Sequence, residues 1–599
     1  MVQQIRGSQF VITYGPGSII EGVEGPRVIP RPDLGLFFKN PPLVPDEFEI
    51  SDQRMSQGLL AGAGIFRLPS NAELGEGNNR YIYRTKAFPT WRLCINMQKH
   101  NGNYYILHQY YRCPVCESKG RRGSEPIRFI KACSAGHMDE VDWYFLAHGE
   151  DKTCEHRDWL RWYGGGGSLS QVRIECPKCN KSVINLGAAY GNEWRCSGRY
   201  PEKETGNQPF RQSGCEQKAK IIQRQASNLR IPELLTLFAV YPRHTVLHNI
   251  LQRKPIYYTL IGNEPTSPEQ LQSILKRLET HGDVSRDTFE SIIKYPWKEI
   301  QTAIKEVLQP VSTSYHDLIL EEYKCLIGGS LNGIPPTRGA SPQSPVLIEI
   351  NPSFVNKCVG PSGNILRVTP ISKLTTVTVQ KGYRREVYTK SLDQTREMAK
   401  LVDVSFQDPV DSQKRWYPGV QYLGEGIFFT FFFTDFKVSN KATEWATAYA
   451  QKEVYPEYVF RDPANREELQ PLFVWWHTFS HLLIREMASE TGYSAASIRE
   501  RIYIDDSGTA GGILFYATQP GSEGTLGGLT ALVPHFQEII DGAMNQLDMC
   551  SADPLCREHQ FKIGDYNGAA CYGCLLLSET SCAHRNMWLD RNILLENMP

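Results

Sequence analysis

The spacing of hydrophobic positions changes several times along the chain, and each change marks a different kind of element. In residues 1–90 short apolar runs such as Phe10-Val11-Ile12-Thr13-Tyr14 are followed by turn residues, here Gly15-Pro16-Gly17-Ser18, which predicts a β-rich N-terminal region. Over residues 231–327 the spacing is helical. Leu271, Ile274, Leu275 and Leu278 recur behind Ser267-Pro268-Glu269, an N-cap with proline at the first helical position. Residues 328–345, GGSLNGIPPTRGASPQSP, read as a linker by composition. Residues 346–465 alternate apolar and polar, as in Thr375-Thr376-Val377-Thr378-Val379, and predict a second β-rich region. Within it the run Ile427 to Phe433, broken only by Thr430, predicts a strand buried on both faces. A helix is expected over 470–495, two strands in IYIDD and GGILFYAT, and helix again over 528–548. The pattern is that of an α+β, multi-domain protein. Residues 91–230 form a double metal-binding module, and 466–599 form a C-terminal α/β domain.

Length and composition agree with this. A chain of 599 residues suggests about four domains. At 41% hydrophobic and 22% charged residues it can build packed cores. The longest apolar run is far short of the ~20 residues that cross a bilayer, and the start MVQQIRGSQFVITYG has no apolar core or cleavage signature, so a cytoplasmic protein without a membrane association is expected. The net charge is zero, yet residues 81–230 carry a net +10 and residues 501–599 a net −7. A basic block in a neutral chain can hold a polyanion locally.

The cysteines change the picture most. There are 16, and most fall into three clusters, each seeded by a C-x-x-C pair. Two thiolates at that spacing can share one tetrahedral ion, and in a chain of this length with reduced cysteines Zn2+ is expected rather than a disulfide framework. The first cluster is expected to combine Cys113 and Cys116 with Cys133 and His137, with Cys154 and His156 competing for the fourth place. The second would join Cys176 and Cys179 to Cys196 and Cys215 as two knuckles of a zinc ribbon. The third offers Cys550, Cys556, Cys571, Cys574 and Cys582 for four places, with Cys556, Cys571, Cys574 and Cys582 favoured. The zinc-ribbon-like modules thus lie in the N-terminal third and a further zinc site closes the chain. Closed sites of this type are structural, with no position left for an activated water.

Signals for catalysis are weaker. No G-x-x-x-x-G-K-[ST] loop occurs, so the chain is not a self-sufficient P-loop motor. His477 and His481 have the i, i+4 spacing of a metalloprotease helix, but Thr478 stands where the general base belongs, so a packed or hydrogen-bonded pair is expected. Asp505-Asp506 reads as the start of a turn. Basic and aromatic residues interleave at Arg121-Arg122, at Arg157, Trp159, Arg161 and Trp162 ahead of four glycines, and at Lys381, Tyr383, Arg384 and Arg385. Such groups can hold phosphates while rings stack on single-stranded bases. Of these, Arg121, Arg122, Arg157, Arg161, Trp162, Lys381, Arg384 and Arg385 are the candidate DNA contacts.

The segments SQFVITYGPGSII (8–20), RFIKACSAGHMDEVDW (128–143) and QRQASNLRIP (223–232) resemble the DrmB family, accessory proteins of the DISARM anti-phage system. Residues 524–591 resemble the zinc-binding domain that closes Mrf-type DNA-repair helicases. The resemblance implies a non-catalytic accessory subunit that pairs with a DrmA-like helicase and binds DNA with it. It also implies one C-terminal zinc held by Cys571, Cys574, Cys582 and either Cys556 or Cys550. A metal-dependent nuclease using Asp505, Asp506, His477 or His481, and a scaffold that never touches DNA, are the alternatives.

Overall fold

A computed structural model describes residues 5–36, 45–77, 81–117, 124–164, 167–206, 208–240, 246–251, 253–308, 314–334, 348–361, 363–387, 399–431, 440, 443–444, 471–491, 494–505, 510–519, 527–559, 567–578, 581–584 and 586–595. It mixes helix and sheet, the expected α+β class, and separates into two compact units. The first comprises Met1–Ile50, Ala63–Leu235 and Thr378–Val420, the second Ser51–Gly62, Thr236–Val377 and Gln421–Pro599. Among the described residues no helix is long and apolar enough to cross a membrane.

The first unit is built from short strands in small antiparallel sheets. One orders Arg173–Glu175, Trp159–Tyr163, Tyr105–His108, Arg92–Cys94 and Ser124–Pro126. Another orders Trp194–Arg195, Lys218–Gln223, Phe129–Cys133 and Met138–Glu140. Trp91, Leu107, Trp143, Leu160, Trp162 and Ile174 pack into the main core here. The Phe10–Tyr14 run is not a strand. Gly7–Ile12 is a helical turn in which the Gln9 side chain accepts from the Arg6 amide at 3.1 Å, while Phe10 and Val11 turn inward. A short apolar run carries no period of its own, and this local cap decides between helix and strand.

Gly15–Ser18 is an ordinary turn. Gly17 has φ +82°, and a side chain there would strike the Tyr383 ring. Its carbonyl accepts from Arg385, which is fully buried. The same guanidinium donates to Gly136 O and Leu229 O at 3.0 Å each and lies 3.4 Å from the Glu202 carboxylate. One buried charge therefore ties the N-terminal turn to the loop that carries His137.

The second unit is a layered α/β body. Its sheet runs Ile231–Phe238, Ile365–Arg384, Arg415–Phe431, Gly511–Gln519 and Ile498–Ile504, the first three contributing here only their residues within this unit. Ile427 and Phe429 face one core with Trp476, Phe479 and Phe536 from the helices Pro471–Thr491 and Phe536–Gln546. Phe428, Leu514 and Tyr516 face the other with Tyr323 and Leu326 from the helix Tyr315–Asn332. Over its described residues 427–431 the run is strand with both faces covered, as its sequence predicts, and residues 432 and 433 lie outside the described residues. Glu322, fully buried on that helix, receives Arg501 at 2.7 Å and the Phe238 amide at 2.9 Å. A separate helical core is formed by residues 247–307, where Ser267 caps Pro268–Thr280 by accepting from the Gln270 amide.

Two expectations are corrected. Ile231–Phe238 is strand, and the first described helix after it is Val246–Leu251. The expected linker at 328–345 begins as helix, since Tyr315–Asn332 runs through Gly328 and Gly329. Gly329 is there because a Cβ would sit 2.7–2.8 Å from the side chains of Ile334 and Ile350. Its reason is packing, which composition does not show. Residues 335–347 lie outside the described residues.

Removing the Arg385 side chain leaves Glu202 buried without its cation and three carbonyls without a donor. Arg385→Ala is expected to cost about 3–5 kcal/mol, seen as a lower unfolding midpoint in a thermal melt. Arg157→Ala, on the surface, should change stability by no more than about 0.5 kcal/mol.

Candidate metal centres

Among the described residues, five sets of side chains bring four metal-binding atoms within 4.8 Å of one another. Three lie in the first unit. A tetrahedron of sulfurs around bonds of about 2.3 Å has edges of ~3.8 Å, which is the standard against which the distances are read.

The first centre holds Cys94, His100, Cys113 and Cys116. Cys94 ends the strand Arg92–Cys94, and its sulfur lies 3.6 Å from that of Cys116. His100 Nε2 lies 3.7 Å from Cys113 Sγ. The knuckle closes with the Glu117 amide donating to Cys113 O at 2.9 Å, and Glu117 takes φ +58° to do so.

The second holds Cys133, His137, Cys196 and Cys215. Cys133 ends the strand Phe129–Cys133, and Gly136 at φ +90° turns the chain so that His137 Nδ1 comes 3.4 Å from Cys133 Sγ. Cys196 Sγ lies 3.5 Å from that same sulfur.

The third holds His148, Cys154, Cys176 and Cys179. His148 ends the helix Trp143–His148, and its Nδ1–H donates to Tyr144 O at 2.9 Å. That bond fixes the ring so that Nε2, buried and without a hydrogen-bond partner, is left as a metal ligand. Cys154 and Cys176 are 3.7 Å apart.

These sets regroup the expected ligands. Cys113 and Cys116 do not meet Cys133 and His137, and Cys176 and Cys179 do not meet Cys196 and Cys215. The cause is strand pairing. Ser124–Pro126 pairs with Arg92–Cys94, so the first C-x-x-C closes on Cys94. Phe129–Cys133 and Trp194–Arg195 both pair with Lys218–Gln223, which draws Cys133, Cys196 and Cys215 together. Arg173–Glu175 belongs to the other sheet and carries Cys176 away from them. Sequence reasoning misses Cys94, His100 and His148. Cys94 stands 19 residues before its partner pair, with no local motif. His148 lies six residues before Cys154, a spacing that could have drawn notice.

In the second unit Cys550, Cys556, Cys571 and Cys574 form an all-sulfur set, with Cys550–Cys571 at 3.4 Å and Cys556–Cys574 at 3.8 Å. Amides aim at these sulfurs, Gly573 N at Cys571 Sγ (3.3 Å) and Ala552 N at Cys550 Sγ (3.4 Å). Gly573 is required by closeness, since a Cβ would stand 2.9 Å from Ser551 Oγ. Arg591, fully buried, holds the loop by donating to Leu547 O at 3.1 Å and Asp553 at 2.6 Å. Cys550 and Cys556 thus both enter this set. Cys582 does not; it lies with His477, His481 and Glu500.

Protonation follows burial. Burial, with neighbouring thiols, pushes Cys94 up to about 12. A hydrogen bond with Cys133 does the same to Cys196, also to about 12. The amide of His156 holds half-buried Cys154 down at about 7. The raised thiols ionise at neutral pH only by giving their protons up to a cation. Zn2+ fits the four sulfur-rich sets in donor type, number and spacing, and leaves none of them an open position.

The other candidates are placed as follows. Arg384 and Arg385 are buried, Arg384 donating to Ala399 O with Glu233 at 3.6 Å, and Trp162 is core. They are corrected from surface contacts to structural groups. Arg161 is half-buried and bound to Glu175 and Asn180. Arg157 is exposed and Lys381 partly so. Arg121, Arg122 and Asp506 lie outside the described residues, and the Asp505 carboxylate accepts from Ala510 N at 2.9 Å. His477 and His481 are fully buried, so neither reaches a phosphodiester.

Comparison with known proteins supports this frame at both ends of the chain. Residues 6–231 match the family described as "Domain of unknown function (DUF8724)", which takes in all three centres of the first unit. Residues 479–575 match the "MrfA Zn-binding domain", which contains the all-sulfur set. A DISARM protein DrmB from Bacillus paralicheniformis is 25% identical over 541 residues, covering 85% of this chain and 88% of that protein. The chain is similar to DrmB along most of its length. The resemblance read from its sequence therefore holds for nearly the whole molecule. A solved structure, the DUF1998 helicase MrfA bound to DNA, aligns at 10% identity with a TM-score of 0.20, over 41% of this chain and 23% of that one. At that score it carries no argument about fold.

Cys94→Ser is expected to lower bound zinc by one ion per chain, read by elemental analysis, although Cys94 belongs to no C-x-x-C pair. Zinc should also be released to a chelator more readily as pH falls. Protons then compete for the thiolates, so affinity is highest on the alkaline side.

Proposed function

We propose that this chain is a non-catalytic accessory subunit of a DNA-helicase complex in prokaryotic antiviral defence, and that it lends the complex part of its DNA-contacting surface. The similarity to DrmB over 85% of the chain carries the reading. Two features support it. The chain has no phosphate-binding G-x-x-x-x-G-K-[ST] loop, so the motor must come from a partner, a DrmA-like helicase. The four sulfur-rich centres have no open coordination position, so their metal stiffens the protein without activating water.

The DNA surface is assigned to the basic first unit. Arg157 is exposed over the Tyr144 ring at 5.3 Å and Lys381 is partly exposed, while Arg121 and Arg122, outside the described residues, count toward the positive charge of the sequence. Cations beside rings suit a DNA with a single-stranded part, where phosphate and base face are both reachable.

The test is binding of labelled, partly single-stranded DNA by the helicase with and without this chain, across a salt series. Addition of the chain should tighten binding and steepen its salt dependence. Arg157→Glu with Lys381→Glu should flatten the slope by roughly 0.7 for each phosphate no longer neutralised, with zinc content and helicase association unchanged. If affinity and slope are the same with and without the chain, it acts as a scaffold and not as a DNA-contacting subunit.

A further inference from the structure

The buried group of His477, His481, Glu500 and Cys582 has no part in the proposed function, and the zinc-domain match over 479–575 stops short of two of its members, His477 and Cys582. The two histidines lie one turn apart on the helix Pro471–Thr491, Glu500 lies in the strand Ile498–Ile504, and Cys582 comes from the loop that follows the all-sulfur centre. His477 and His481 have no exposed surface, and Glu500 and Cys582 retain 1% and 5%. Glu500 Oε1 is 2.9 Å from His477 Nε2 and 3.2 Å from His481 Nε2, and His477 Nε2 is 3.1 Å from Cys582 Sγ.

We propose that these four side chains form a second metal centre of the C-terminal region, a closed structural Zn2+ site with two imidazole nitrogens, one carboxylate oxygen and one thiolate. Three observations lead there.

The first is the direction of lone pairs. His481 Nδ1 is 2.9 Å from Leu575 O, and a carbonyl only accepts, so the ring proton is on Nδ1. The Nε2 of the neutral ring then presents a lone pair to a carboxylate oxygen. The His477 Nε2 converges on the same oxygen. The His481 nitrogen and that oxygen, 3.2 Å apart, are both acceptors unless a cation, a proton or a metal ion, lies between them.

The second is charge. Two protonated imidazoles beside one carboxylate would leave a net positive charge in a water-free pocket, which is costly, so without a metal only one imidazole can carry a charge and Cys582 must stay a thiol. One divalent ion with a carboxylate and a thiolate is neutral overall. A tetrahedron with bonds of about 2.0 Å to N and O and 2.3 Å to S has edges of ~3.3–3.5 Å, a few tenths beyond the distances seen.

The third is the setting of Cys582. The amide two residues on, His584 N, aims at its sulfur at 3.3 Å, and Asn586 N does so at 3.2 Å. The same i+2 amide-to-sulfur contact occurs at Cys196, Cys550 and Cys571, each of them in a sulfur-rich centre. Ser480 Oγ engages the other oxygen of Glu500 and so steadies the carboxylate, as groups behind a metal ligand do.

Such an ion would pin the helix, the strand and the loop of Cys582 together. It would also couple the two C-terminal centres, because Leu575, which orients His481, directly follows the ligand Cys574. Thr478 in place of a metalloprotease glutamate then needs no explanation. With four protein ligands and no water, the site has no use for a general base.

The test uses the whole chain with zinc exchanged for cadmium-113, observed by NMR. Thiolate ligands move the resonance downfield, so the wild-type protein should give four downfield signals and a fifth well upfield of them. Cys582→Ser and His481→Gln should each lower zinc by one ion per chain and remove only the fifth signal. A wild-type spectrum with no signal in the nitrogen- and oxygen-rich region overturns the proposal, however the variants fold. Retention of full zinc content by both variants overturns it as well.

Discussion

Coordination of zinc by cysteine thiolates is the constraint on which the first unit depends. Its strands are short, some of only two or three residues, and they are spread over several small sheets. Sheets of that size bury little apolar surface, and the loops between them are long. Each centre fixes such loops to a strand or helix end. Cys94 closes the first C-x-x-C knuckle, Cys133 gathers Cys196 and Cys215, and His148 anchors the knuckle of Cys176 to a helix. The binding energy of a structural zinc is folding energy, because the ligands are not assembled in the unfolded chain. The second unit is different. Its sheet is covered on both faces, and the all-sulfur centre stands where regular structure gives out, after the helix Phe536–Gln546.

Buried charge is the second support. Arg385 with Glu202, and Glu322 with Arg501, sit among backbone carbonyls and amides from segments far apart in sequence. These pairs explain why a basic stretch misleads. Lys381-Gly-Tyr-Arg-Arg385 looks like a surface patch because sequence shows a charge but not the carboxylate that faces it. The partner of Arg385 is 183 residues away.

What is legible in the sequence is what is local. The C-x-x-C pairs, the serine cap before Pro268, and the strand at Ile427 buried on both faces are readable because each is decided within a few residues. The joining of a cysteine pair to its further ligands is not, because it is set by which strands lie side by side. Cys94 and His148 belong to no C-x-x-C motif. The helical turn at Gly7–Ile12 and the helix through Gly328-Gly329 depend on a single cap and a close packing contact, neither of which composition reveals. His477 and His481 are legible as a packed pair, but their companions Glu500 and Cys582 come from a strand and a loop downstream. Cys582, expected in the C-terminal set, falls outside it because Cys550 and Cys556 both enter.

The central claim is the partition of ligands among ions. Anomalous diffraction at the zinc absorption edge from crystals of the whole chain tests it most directly. The expected map has a peak enclosed by Cys94, His100, Cys113 and Cys116, and separate peaks for the Cys133 and Cys176 centres. In the second unit one peak is expected among the four cysteines 550, 556, 571 and 574. One peak shared by Cys113, Cys116, Cys133 and His137, or one joining Cys176 and Cys179 to Cys196 and Cys215, would contradict it.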